Sequence, residues 1–346
     1  MLKLSKIVAA LLILLSTWIE AEARTFTDAA GRKVELPDKI MRVFAAGPPA
    51  SVAVYALAPD KLVGWVNEFP PAARPFIAKP YIDLPVHGRL TGRGNTANTE
   101  IVLKLKPDII VDVGSVDQTH ASLADRVQEQ TGVPYVLIDG AFARSAQTIR
   151  EIGDAIDASQ RAVALSAYAE STLNEVHAKI EGIAQDRRPR VYYGRGPQGL
   201  ETGLAGSINL EVLQAVGAVN VAAAAGKGGL TNVSMEQILT WSPDVVLAQD
   251  SSFMKNVFKD VTWHGVKAVR DHRVYRSPDV PWGWFDAPPG INRLIGVRWL
   301  MSILYPGLGG DDLRNDTAEF YKLFYHVDLT DAQLDELLED AASIRK

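Results

Sequence analysis

A chain of 346 residues, 47% apolar and 22% charged, has ordinary globular composition and length enough for two domains. A formal net charge of −5 argues against bulk nucleic-acid binding. The absence of cysteine excludes disulfides, thiolate catalysis, Cys-ligated zinc, iron–sulfur clusters and a lipid-modified N-terminal cysteine. In chain order, residues 1–23 read as an export signal: Lys3 and Lys6 precede the apolar "IVAALLILLSTWI", and "AEA" at 21–23 offers a small-x-small cleavage site. The apolar run is short for a membrane span and no other segment reaches that length. The expectation is a soluble mature chain in a Gram-negative periplasm.

Internal similarity is the strongest feature of the mature chain. "NTEIVLKLKPDIIV" at 98–111 matches "SMEQILTWSPDVVL" at 234–247, both reading as a short helix stopped by proline, an Asp at the turn and a buried strand. Glu100 and Glu236 fall in the early turns, where a carboxylate suits the helix dipole. Upstream, "RVFAAGPP" at 42–49 parallels "RVYYGRGP" at 190–197, each an Arg-led strand running into a Gly-Pro loop. The alternation of strands and helices predicts an α/β fold with two similar lobes, 24–142 and 187–346, each built on a mostly parallel sheet. Between them, 143–186 is expected to be a stiff connecting helix. Its segment 146–186 holds no proline and has apolar residues near helical spacing from Ile149 to Ile180. One helix, or two nearly collinear ones, would reach about 40–60 Å at 1.5 Å per residue.

Two related lobes, a long connecting helix, an export signal and the paired "L-x-x-x-P-D" motif resemble the helical-backbone class of periplasmic binding proteins. "FTDAAGRKVELPDKIMRVFAAGP" (26–48) and "PPGINRLIGVRWLMSILYP" (288–306) strengthen the likeness, which covers almost the whole mature chain. The resemblance implies a monomeric receptor rather than an enzyme. It would capture an iron–siderophore or similar metal chelate between the lobes and deliver it to an inner-membrane ABC permease with its ATPase. A molybdate or tungstate receptor of the same class is the alternative. The likeness also implies one permease-docking carboxylate per lobe: Glu211 in the second, and Glu68 or Asp83 in the first.

Ligands of open α/β sheets gather at the carboxyl ends of strands. That rule selects Gly47, Pro48 and Trp65 in the first lobe, and Tyr193 and Arg195 in the second. Arg89 and Arg93, in the polar "HGRLTGRGNTAN", offer paired donors for a carboxylate, catecholate or oxyanion. In "VPWGWFDAPPG" at 280–290, Trp282 and Trp284 are expected to stack on a ligand, with Asp286 accepting hydrogen bonds and Phe285 packing. The six histidines show no metal-ligand spacing, and His87 alone falls near the presumed cleft, so no metal site or cofactor is expected and any metal should arrive already chelated. An enzyme acting in the cleft is the reading of a different class. It is disfavoured because G-x-S-x-G, P-loop and dinucleotide fingerprints are missing.

Overall fold

A computed structural model describes residues 24–92, 94, 97–308 and 312–341. The expected export signal and Arg93 lie outside the described residues. The chain opens on an antiparallel hairpin, β1 (Arg24–Thr27) with β2 (Lys33–Leu36). Strands β3 (Val43–Ala45), β4 (Ile109–Gly114) and β5 (Tyr135–Asp139) then pair in parallel. In the second half, β6 (Arg190–Gly194), β7 (Glu201–Gly203), β8 (Val219–Asn220), β9 (Leu230–Asn232), β10 (Val245–Ala248) and β11 (Val274–Arg276) follow in order. Four of these form a separate parallel sheet, ordered β11-β10-β6-β8, while β7 and β9 make a small antiparallel pair. The two parallel sheets do not merge.

The repeated sequence makes a repeated structure, and its chemistry is visible. Thr99–Leu105 and Met235–Trp241 are both helices, N-capped by Asn98 and Ser234, whose side chains accept from Ile101 N and Gln237 N. Each ends on a left-handed residue, Lys106 (φ 47°) or Ser242 (φ 44°), just before the proline. The motif Asp then reaches the neighbouring strand. Asp108 Oδ2 accepts from Met41 N and Arg42 N at 2.7 and 2.8 Å, and Asp244 Oδ2 accepts from Arg190 N at 3.2 Å. The strand-leading arginines return the contact to the helix ends: Arg42 Nη2 donates to Leu105 O at 2.7 Å, and Arg190 Nη2 to Trp241 O at 2.8 Å. These side chains satisfy carbonyls that a helix C-terminus leaves open.

The connecting segment departs from expectation. It is two helices, Ser145–Ala155 and Ser159–Ile180, and they are not collinear. The chain reverses at Asp157 (φ 55°), and Arg150 Nη1 lies 3.6 Å from Glu170 Oε2, which only an antiparallel pair allows. Gly153 packs directly on Ala162 and is a contact point of the hairpin. The long helix alone, about 33 Å at 1.5 Å per residue, joins the lobes. At its start, Arg161 donates to Ala56 O and Leu323 O. At its end, Ile180 packs beside Gly217.

Beneath the lobes runs one apolar core. It extends from Val43 and Val54 through Leu165 and Ala169 to Val191, Val212 and Trp299. Smaller clusters fill the outer side of each sheet. The Arg293–Leu304 helix presses on the 280–290 loop so closely that a Cβ at Gly296 would collide with the Trp284 carbonyl. Gly296→Ala should therefore lower stability by about 1–3 kcal/mol. Gly182→Ala, where an added methyl meets nothing within 4 Å, should stay within about 0.5 kcal/mol of the parent. Urea unfolding of both variants checks this.

Candidate functional site

A cavity of about 610 Å³ lies between the lobes and is lined from both. Its first-lobe floor forms where β3 and β4 end. Gly47 leads into the Pro48–Leu57 helix with proline at the first helical position, where a missing N–H costs nothing. A side chain at Gly47 would sit 2.6 Å from Thr91 Oγ1, so glycine is what allows the 89–92 loop to close over this helix end. Ser51, Thr91 and Asp112 follow on the same floor. Asp112 is buried at the end of β4 and accepts from Thr91 Oγ1 and Tyr135 Oη, each at 3.0 Å. Burial pushes its carboxyl pKa up, against the pull of those two hydrogen bonds.

One wall is aromatic. Trp65, Phe69 and Trp282 form a triangle with ring centroids 4.9, 5.7 and 6.1 Å apart. Trp65 Nε1 donates to Tyr81 O at 2.8 Å, which fixes the indole. Behind Trp282 stand Tyr55 and Tyr325, at 5.6 and 4.9 Å, and Tyr55 Oη donates to Tyr325 O at 2.6 Å. The opposite side is polar. Asp286, only 2% exposed, accepts from Arg195 Nη1, Asn209 Nδ2 and, at 3.2 Å, Tyr193 Oη. Arg195 Nε also donates to Glu201 Oε2 at 3.0 Å, so its charge is shared between two carboxylates.

Of the residues expected at the site, Pro48, Trp65, Arg89, Arg195, Trp282 and Asp286 line the cavity, and Gly47 supports it from behind. Trp284 and Tyr193 do not. Trp284 is fully buried and donates from Nε1 to Tyr321 Oη at 3.1 Å, while Tyr193 lies under Asp286 and packs on Phe285. Along "WGWFD" the first indole faces the cavity and the second faces the core. Sequence reasoning missed Ser51, Phe69, Asp112, His120 and Asn209, all of which line it. Asp112 carried a signal: it is the one charged residue inside the apolar strand "IIVDVG". His87 lies away from the cavity, stacked on Phe44 at 4.1 Å with its pKa lowered by burial. Among the described residues, no group of three or more His, Asp or Glu is placed to hold a metal ion.

The carboxylates expected at a permease fall in three different settings. Glu68 is exposed and sits on the cavity rim. Asp83 is exposed and paired with Arg74. Glu211 is committed elsewhere: Oε2 accepts from Phe142 N at 2.8 Å and lies 3.4 Å from Arg293 Nη1. Arg293, 1% exposed, also donates to Ile208 O (2.7 Å), Gly140 O (3.3 Å) and Gly290 O (3.1 Å), closing the junction under the cavity. Burial lowers its pKa to about 10, with Glu211 opposing the shift. Glu211 is thus engaged at the junction, with its side chain partly exposed.

The raised pKa of Asp112 has a consequence for stability. Burial makes its charged form costlier in the folded chain than in the unfolded one, so the associated stability is fully present below the unfolded value of 3.8 and is lost as pH rises through the native one. Asp112→Asn removes that loss. As pH rises above the unfolded value of 3.8 the Asn variant should gain on the parent in urea unfolding, and parallel curves would contradict this.

Both the fold and this cavity have counterparts among known proteins. A family model described as "Periplasmic binding protein" matches residues 76–281. The molybdate-binding protein MolA of Haemophilus influenzae is 26% identical over 351 residues, covering 94% of this chain and 97% of that protein. An ABC transporter solute-binding protein from Sulfurospirillum deleyianum superimposes with a TM-score of 0.82 at 29% identity, over 92% of this chain and 100% of the other. The molybdate-bound MolA structure gives 0.72 at 25% identity, over 89% and 99%. Among the described residues, no helix is long and apolar enough to cross a membrane. The chain belongs to the periplasmic binding proteins, in their helical-backbone class, the substrate-binding components of ABC transporters.

Proposed function

We propose that this receptor captures an organic metal chelate of the iron–siderophore type and hands it to an ABC permease. The observation that supports this reading is the size and lining of the cavity. A tetrahedral oxyanion, with four oxygens each near the roughly 30 Å³ share of a water molecule, would fill only a fraction of the 610 Å³. A drug-sized chelate suits such a volume, and Phe69 and Trp282, backed by the buried Trp65, supply an aromatic wall it would rest against. The guanidinium of Arg195, shared between Asp286 and Glu201, also offers less to a bare anion than the sequence suggested. The oxyanion reading keeps one specific support, the near full-length similarity to a molybdate-binding protein.

Titration with ferric desferrioxamine, a ferric tricatecholate and molybdate, followed by tryptophan fluorescence, separates the two. A chelate should quench the parent protein. Trp282→Ala should weaken chelate binding by about tenfold or more, in keeping with an aromatic anchor worth about 2 kcal/mol. Quenching by molybdate alone would favour the oxyanion.

For docking, the repeated helices offer one carboxylate per lobe at equivalent positions. Glu100 and Glu236 are both exposed, each in the first turn of its helix. Leu103 and Leu239, one turn on, are 49% and 40% exposed. Since ABC permeases present two subunits, a pair of matched surface charges suits them better than Glu211, which the lobe junction consumes. Glu100→Arg with Glu236→Arg should leave ligand affinity in solution within about twofold and reduce uptake by the reconstituted transporter at least tenfold, since opposed charges act on docking and not on the cavity. Unchanged uptake would remove these two positions from the interface.

A further inference from the structure

The cavity floor holds two polar groups whose chemistry the chelate reading does not by itself require. Ser51 lines the cavity at 1% exposure, and its buried Oγ has no hydrogen-bond partner. Asp112 is 5% exposed and lines the same floor. Its two oxygens receive Thr91 Oγ1 and Tyr135 Oη, both neutral donors, and a carboxylate has about four acceptor sites. Among the described residues no lysine or arginine side chain forms an ion pair with Asp112, and His120 lines the same cavity. Both residues adjoin Gly47: its carbonyl accepts from Ser51 N at 3.0 Å, and a Cβ there would stand 3.8 Å from Asp112 Oδ1. One side of the floor is therefore a hydroxyl needing a partner, and the other is an acceptor with spare capacity and no lysine or arginine partner.

A fully ionised oxyanion meets repulsion from such a carboxylate and finds a single donor in Ser51. A neutral edge carrying an acceptor beside a hydrogen-bond donor satisfies both. Resting on the chelate reading, we propose that Asp112 and Ser51 form a specificity subsite for an amide or hydroxyl edge of the ligand, with Asp112 accepting its N–H or O–H and Ser51 donating to its oxygen. Tyr135 and Thr91 act as positioning residues that hold the acceptor in place. Buried polar groups left unpaired are what give such a subsite its discrimination.

The test titrates the parent, Asp112→Asn and Trp282→Ala with ferric desferrioxamine, its analogue N-methylated at the secondary amides, a ferric tricatecholate and sodium molybdate. The expected result is chelate binding by the parent, weakened at least tenfold by Asp112→Asn. N-methylation should cost the parent a similar factor and the Asn variant little, the coupling expected of two groups in contact. The methylated analogue on the parent protein keeps the test independent of how well the variant folds. A chelate that binds the parent and the Asn variant equally, or that tolerates N-methylation in the parent, overturns the subsite. If Trp282→Ala weakens that same binding, the chelate reading survives the loss. Binding of molybdate alone, or of no probe, removes the chelate reading and this subsite with it.

Discussion

A guanidinium sealed at the lobe junction is the interaction on which the rest depends. Arg293 reaches carbonyls of Gly140 from the first lobe and of Ile208 and Gly290 from the second, and it meets Glu211 beside them. A charge this deeply buried is tolerated only when its donors are matched and a counter-charge is near. Removing either member would leave the other unpaired. The junction is also continuous with the apolar core that passes from one sheet to the other through the Ser159–Ile180 helix. What is packed underneath therefore sets the distance between the lobes, and the gap above it is a product of that packing.

The frame was legible from the chain because its signals were local and duplicated. The two "P-D" units announced a helix, a stop and a strand, and the structure adds the reason for the aspartate, which binds the backbone at the start of the neighbouring strand, and for the arginine that opens that strand, which binds a carbonyl at the helix end. The reversal at Asp157 was not legible. Helical spacing in Ser145–Ala155 and in Ser159–Ile180 is the same whether the two helices run on or fold back. The one non-glycine residue with positive φ between them looks in sequence like any surface aspartate.

At the cavity, residue type was easier to read than direction. The rule that ligands meet the carboxyl ends of strands brought Pro48, Trp65 and Arg195 to the right place, and the 280–290 loop added Trp282 and Asp286. It could not tell Trp282 from Trp284, because which indole faces the gap is decided by a distant partner, Tyr321, and by the close approach of Gly296. Nor could it reveal that Arg195 is held between two carboxylates, one of them 91 positions away. Arg195, read in sequence as a site for an anion, is in three dimensions already engaged by two carboxylates of its own chain.

The backing of the aromatic wall has a consequence for how the site comes into being. Trp282 rests on Tyr325, and Tyr55 bonds to the carbonyl of that same residue. His326 meets Tyr55 O in turn. Residues far apart in synthesis thus share one surface, and the wall has no support until the Leu313–Tyr325 helix is in place. The aromatic wall is therefore complete only once the segment carrying Tyr325 has folded against Trp282 and Tyr55.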